Sequence, residues 1–213
     1  MTYSVKEMYY TLQGEGARTG RPAVFLRFAG CNLWSGREDD RASAVCRFCD
    51  TGFVGTDGPG GGKFATAQAL ATAVAATWPD ANAAGRYVVC TGGEPLLQLD
   101  EDAIGALHEV GFEVAVETNG TIAAPAGVDW ICVSPKAGAV VLQQSGNELK
   151  LVYPQVEREA QPECFLGMEF DNFFLQPLDD ANREHNTRAA IEYCLEHPQW
   201  RLSLQTHKLI GIP

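Results

Sequence analysis

Two hydrophobic rhythms alternate along this chain, and that alternation restricts its fold more than any other feature. Short apolar runs rich in β-branched and aromatic residues recur at 23–28 (AVFLRF), 86–91 (RYVVCT), 112–118 (FEVAVET), 129–134 (DWICVS), 148–153 (ELKLVY), 172–177 (NFFLQP) and 200–205 (WRLSLQ). Most end in polar residues, the mark of a buried strand. Helical segments lie between several of them. Thr66 to Trp78 is Ala-rich, Asp100 to Val110 carries Ile104, Leu107 and His108 at helical spacing, and Asn186 to His197 carries Ile191, Cys194 and Leu195. Strand and helix in turn predict an α/β fold built from βα units on a mostly parallel sheet. Ligands gather at the C-terminal ends of such strands, so functional residues are expected just past each run.

The 213 residues fit a single domain, 1–213, since compact domains run to about 250 residues before a second core forms. No stretch nears the roughly 18 apolar residues of a membrane span. The opening MTYSVKEMYYTLQGEG lacks the basic start and apolar centre of a secretory signal, so a cytoplasmic protein is expected. A net charge of −11 opposes the basic footprint that nucleic acid requires. A small substrate or an acceptor protein fits better. Seven cysteines, an odd number in a chain without an export signal, point to a metal or redox centre.

One segment breaks the alternation. Residues 32–62 form a long irregular stretch after the first apolar run, charged at Arg37 to Arg41 and with six glycines between Gly52 and Gly62; loops of that length are usually functional or disordered. Cys31 ends the run just before it, and Cys46 and Cys49 follow after 14 and 2 intervening residues. Three soft ligands thus collect where a βα fold builds its sites. Structural zinc wants four ligands, and no fourth Cys or His lies in the loop. Three thiolates suit a [4Fe–4S] cluster with one iron left open. Cys90, Cys132 and Cys194 lie in apolar runs and read as core thiols, while Cys164 has no readable role.

With the sequence Gly92-Gly93-Glu94-Pro95 after the next run, this arrangement resembles the radical S-adenosylmethionine enzymes. The long first gap is similar to the CX14CX2C variant found in a branch of the 7-carboxy-7-deazaguanine synthases. The resemblance extends through YYTLQGEG (9–16), FAGCNLW (28–34), CRFCDT (46–51), TGGEP (91–95), ETNG (117–120), SPK (134–136), QPLD (176–179) and the terminal THKLIGIP. It implies a partial (βα) barrel of the radical S-adenosylmethionine type, with 31–62 as a cluster-binding insertion. It also implies conversion of 6-carboxy-5,6,7,8-tetrahydropterin to 7-carboxy-7-deazaguanine and ammonia, on the route to queuosine and related deazapurines. A deoxyadenosyl radical would take hydrogen from C6, the ring would contract, and the hydrogen would be returned.

The resemblance assigns residues as well. Cys31, Cys46 and Cys49 would hold the cluster. Phe48, Cys49, Asp50, Gly92, Gly93, Glu94, Ser134, Pro135, Lys136, Gln176, Pro177, Leu178 and Asp179 would contact S-adenosylmethionine. Leu12, Gln13, Gly14, Glu15, Arg27, Thr91, His207 and Pro213 would contact the pterin, and Thr51 would help to hold Mg²⁺. From the residues alone, Arg27 is a guanidinium inside a sheet that needs a partner, such as a salt bridge to Glu15 or Glu117; the resemblance implies instead a substrate carboxylate, met bidentately. His207 alone reads as a surface histidine and Pro213 as a frayed tail. A homodimer fed by an electron donor such as flavodoxin is expected. Two rivals stand beside this reading: an activase that makes a glycyl radical on a partner protein, and a zinc or iron–sulfur scaffold without catalysis.

Overall fold

The computed structural model describes residues 2–79 and 84–213. Nine strands run through it: β1 (Tyr3–Leu12), β2 (Pro22–Phe28), β3 (Gly62–Phe64), β4 (Tyr87–Gly92), β5 (Glu113–Thr118), β6 (Trp130–Val133), β7 (Ser145–Tyr153), β8 (Glu169–Pro177) and β9 (Trp200–Leu202). They form one sheet in the order β3-β1-β2-β4-β5-β6-β7-β8-β9. Every neighbouring pair from β2 to β9 is parallel, while β1 is antiparallel to both β2 and β3. β3 and β9 remain edges, so the sheet does not close. The seven expected strands are present as β2 and β4 to β9, with ends displaced by up to three residues.

Two strands were not anticipated, and β1 shows why. Tyr3, Val5 and Met8 are its buried residues, a spacing that is not strictly alternate. The cause is a bulge: Val5 pairs with Phe28 but Glu7 with Arg27, so one extra residue reverses which side chains face the core. The glycine-rich part of 32–62 backs this bulge. The Gly58 N–H donates to the Lys6 carbonyl at 2.9 Å and the Met8 N–H to the Pro59 carbonyl at 2.8 Å. A β-carbon at Gly61 would run into the Lys6 carbonyl. Part of the stretch expected to be irregular is therefore tied to a strand edge, and it ends in β3.

Alternation on the remaining strands sorts two faces. Val24, Leu26, Phe28, Val88, Cys90, Val114 and Val116 face outward into a core shared with two helices, α1 (Ala67–Thr77) and α2 (Glu101–Glu109). Both helices start on side-chain caps, where Thr66 Oγ1 accepts from the Ala69 N–H at 3.1 Å and Asp100 Oδ1 from the Ala103 N–H at 2.9 Å. Leu149, Leu151, Leu175 and Trp200 form a second core under α3 (Arg183–Glu196). There the expected apolar stripe holds only at Cys194, which packs on this core beside Tyr193. Ala190 and Asn186 are buried, whereas Ile191 and Leu195 are 40% and 79% exposed. A short helix, α4 (Thr206–Ile210), ends the chain. No helix among the described residues is long and apolar enough to cross a membrane.

Candidate active site

The inward face of the sheet is built in two levels. At the N-terminal ends of the strands, Ala23, Tyr87, Val89 and Ala115 pack with Phe25 and Trp130 into an apolar floor. The β1–β2 connection folds beneath it, with the Arg18 and Arg21 guanidinium carbons each 3.9 Å from the centroids of Trp130 and Tyr87 respectively. Two residues further along the same face, the same alternation presents Arg27, Thr91, Glu117, Lys150 and Gln176. They open into a cavity of about 510 Å³ at the C-terminal strand ends, within the range of small-molecule sites.

Cys31, Cys46 and Cys49 line one wall of this cavity, together with Phe48, Asp50 and Thr51. Cys46 donates its thiol to Cys49, and that bond, against burial, brings Cys49 down to about 6. Thr51 also bonds Cys49 through its N–H and its hydroxyl. The Cys46 thiol is pushed up by being the donor and by burial. Lys136, whose Nζ reaches Ser134 Oγ at 2.7 Å, places a cation beside these two sulfurs. Among the described residues no three His, Cys, Asp or Glu side chains crowd around one point as a single ion requires. An iron–sulfur cluster does not ask for that, since each thiolate takes its own iron, so soft donors on one wall beside a cation fit it. The turn after β4 is pressed onto the same wall. A β-carbon at Gly93 would strike both the Gly30 carbonyl and Cys31 Cβ, which leaves glycine as the residue that fits.

Of the residues expected to contact the cofactor, Gly92, Gly93, Ser134, Lys136, Gln176, Pro177, Leu178 and Asp179 line the cavity. Glu94 and Pro135 do not. Glu94 is fully buried behind the wall, where its carboxylate accepts from the Leu96 N–H at 3.0 Å, Thr118 Oγ1 at 2.8 Å and the Asn119 N–H at 2.8 Å. It ties the turn after β4 to the end of β5.

All the residues expected at the substrate line the same cavity: Leu12, Gln13, Gly14, Glu15, Arg27, Thr91, His207 and Pro213. Lys150, not anticipated, lies at their centre. Its Nζ donates to Glu15 Oε2 at 2.6 Å and to Glu117 Oε2 at 2.9 Å. Gln13 Nε2 reaches Glu117 at 3.2 Å and Gln205 Nε2 reaches Glu15 at 3.0 Å. Glu15 and Glu117, offered as alternative partners of Arg27, thus belong to Lys150. Arg27 pairs instead with Glu7, at 2.8 Å from Nε, and its Nη2 also donates to the Tyr9 hydroxyl. His207 packs so close to Gly14 that a β-carbon there would meet its ring, and burial lowers its pKa, leaving a neutral imidazole at pH 7. Thr206 caps the Gly14 carbonyl and Thr11 Oγ1 donates to the Pro213 carbonyl at 2.9 Å, so the chain's end is anchored over the cavity. Lys208 joins Asp50 and Asp179, each at 2.7 Å. Lys150 and Lys208 carried one readable signal each, a lone cation in the apolar run ELKLVY and another beside His207.

The four other cysteines lie outside this wall: Cys90 and Cys132 are buried, Cys194 is half-buried and Cys164 is exposed.

No family model matches the chain. Over the full length of both proteins it is 66% identical to the 7-carboxy-7-deazaguanine synthase of Caulobacter vibrioides and 64% identical to that of Bordetella pertussis. The crystal structure of QueE from Escherichia coli is similar with a TM-score of 0.70 at 31% identity, covering 96% of this chain and 94% of that one.

Proposed function

The chain belongs to the 7-carboxy-7-deazaguanine synthase family, and from that membership we propose how the cavity residues divide the work. The reaction is that of a radical S-adenosylmethionine lyase, converting 6-carboxy-5,6,7,8-tetrahydropterin to 7-carboxy-7-deazaguanine with loss of ammonia in queuosine biosynthesis. The glycyl-radical activase finds no support among these relatives. When bound, the [4Fe–4S] cluster and S-adenosylmethionine supply the radical that takes hydrogen from the pterin.

Cys31, Cys46 and Cys49 hold the cluster, and Lys136 offsets the charge of the thiolates. The Gly92–Gly93 turn offers backbone to the methionine end of the cofactor, Ser134 and Lys136 its carboxylate or ribose, and Phe48 with Gln176 to Asp179 its adenosine end. Glu94 and Pro135 shape this wall from behind. Arg27 takes the substrate carboxylate with its fork of donors. Gln13, Glu15, Thr91, His207 and the terminal carboxylate of Pro213 meet the amino, amide and ring groups of the pterin, with Leu12 and Gly14 packing its edge. The protein's share is to fix the reacting atoms and to exclude water and stray hydrogen donors.

What carries the reading is one juxtaposition: three thiols and the Glu15–Lys150–Glu117 charge cluster line a single cavity. We further propose that Thr51 contributes to a Mg²⁺ site whose other oxygens come from substrate and water, and that flavodoxin or a similar donor supplies electrons to a homodimer. The 213 residues work as one domain with 31–62 as its cluster-binding insertion. Seven free cysteines suit the reducing cytoplasm. Anaerobic reconstitution followed by EPR of the reduced protein tests the site: the cluster signal should change on adding S-adenosylmethionine, and an unchanged signal would rule out cofactor contact at the open iron.

A further inference from the structure

Arg27 does not sit in the cavity wall unaided. It pairs directly across β1 and β2 with Glu7, and Phe25 pairs with Tyr9. Glu7, Tyr9, Phe25 and Arg27 all line the cavity, because the bulge between Val5 and Glu7 turns the odd-numbered residues of β1 inward from that point. Glu7 Oε1 accepts from Arg27 Nε at 2.8 Å, and the Tyr9 hydroxyl accepts from Nη2 at 3.2 Å. Tyr9 is itself held by stacking on Phe25, with centroids 5.9 Å apart and planes 10° apart. Both contacts engage the side of the guanidinium that carries Nε. Nη1, on the opposite edge, makes no hydrogen bond or ion pair among the described residues, and Arg27 lines the cavity.

We propose that Glu7 and Tyr9 are positioning residues for Arg27, holding it by one edge so that the other meets a carboxylate end-on. The inference rests on the reading of Arg27 as the ligand of the substrate's carboxylate. A guanidinium has five donors in a rigid plane, so fixing one edge orients the other. Glu7 also offsets part of the Arg27 charge, which lowers the attraction for stray anions and makes recognition depend on geometry.

The test uses the reconstituted, S-adenosylmethionine-loaded enzyme and two probes, 6-carboxy-5,6,7,8-tetrahydropterin and the same pterin without its carboxylate. Binding is measured by anaerobic equilibrium dialysis, alongside KM and kcat for the first. Glu7→Ala should weaken the carboxylated probe tenfold or more, appear in KM more than in kcat, and leave the second probe within about twofold. Glu7→Gln keeps an oxygen toward Nε and should recover most of the loss, while Tyr9→Phe should cost a few-fold. If Glu7→Ala weakens both probes alike, or neither, the positioning role is wrong. Arg27→Gln separates the two readings. An undiminished preference for the carboxylated probe in that variant overturns the Arg27 assignment and this inference with it. Selective loss in Arg27→Gln with none in Glu7→Ala overturns this inference alone. Should Glu7→Ala fail to fold, Tyr9→Phe decides: full wild-type discrimination between the probes in that variant contradicts the proposal.

Discussion

Glu15 and Lys150 are 135 positions apart in the chain and 2.6 Å apart in the fold. The bond joins the β1–β2 connection to the middle of β7 and sets the electrostatics of the cavity. Burial alone would raise the Glu15 carboxyl, but the Lys150 ammonium and the Gln205 amide outweigh it and hold the group at about 2. A carboxyl depressed on folding adds stability above its unfolded value of about 4.3. That stability is lost as pH falls from there through about 2. Wild-type protein should therefore weaken across this acid window. Lys150→Met strands two carboxylates and should cost about 3–5 kcal/mol at pH 7, with part of the loss regained at pH 5 as Glu15 takes up a proton. Urea unfolding at the two pH values measures both; a variant as stable as wild type at pH 7 contradicts the pairing.

Iron content separates the cysteines. Cys31→Ala, Cys46→Ala and Cys49→Ala should each lose the reconstituted cluster, while Cys90→Ala, Cys132→Ala, Cys164→Ala and Cys194→Ala should keep it. Loss of iron from a folded Cys90→Ala or Cys132→Ala protein would sink the assignment.

Glycine positions differ in what they tolerate. Gly93 has the Gly30 carbonyl and Cys31 against it, whereas a β-carbon at Gly105, in α2, would meet nothing within 4 Å. Gly93→Ala should displace the Cys31 turn and cut iron retention severalfold. Gly105→Ala should raise stability by about 0.5–1 kcal/mol. Equal iron retention in the two variants would show that the turns do not depend on each other.

Much of this arrangement was legible in the sequence, for reasons that particular residues make plain. Strands β4 and β5 carry unbroken apolar runs, so their type and direction follow from pattern alone, and Cys31, Gly92 and Ser134 could be placed at strand ends before any coordinates. β1 was not legible because the bulge at Glu7 breaks the two-residue period, which also hid Glu7 and Tyr9 as inward-facing groups. The α3 stripe misled at Ile191 and Leu195 because the helix buries the small Ala190 and the polar Asn186 instead. Lys150 escaped because its partners Glu15 and Glu117 lie 135 and 33 positions away, in strands and turns that only the fold brings together.

The chain's end should be functional. Thr206 and Thr11 anchor it, and Lys208 joins it to Asp50 and Asp179. An extension past Pro213 crowds the cavity that Pro213 lines and should cost substrate affinity or turnover about tenfold, or about 1.4 kcal/mol, while an N-terminal tag does little. The EPR response to S-adenosylmethionine should survive in both. Unaltered kinetics in the C-terminally extended enzyme would make Pro213 an ordinary tail.

The account rests on the substrate, so the decisive measurement is product identity. Reconstituted protein with S-adenosylmethionine, Mg²⁺, a low-potential reductant and 6-carboxy-5,6,7,8-tetrahydropterin is analysed by anaerobic mass spectrometry with an ammonia assay. The account predicts 7-carboxy-7-deazaguanine and ammonia in equal amounts, over many turnovers per chain. Cleavage of S-adenosylmethionine to 5′-deoxyadenosine with the pterin left intact would contradict it.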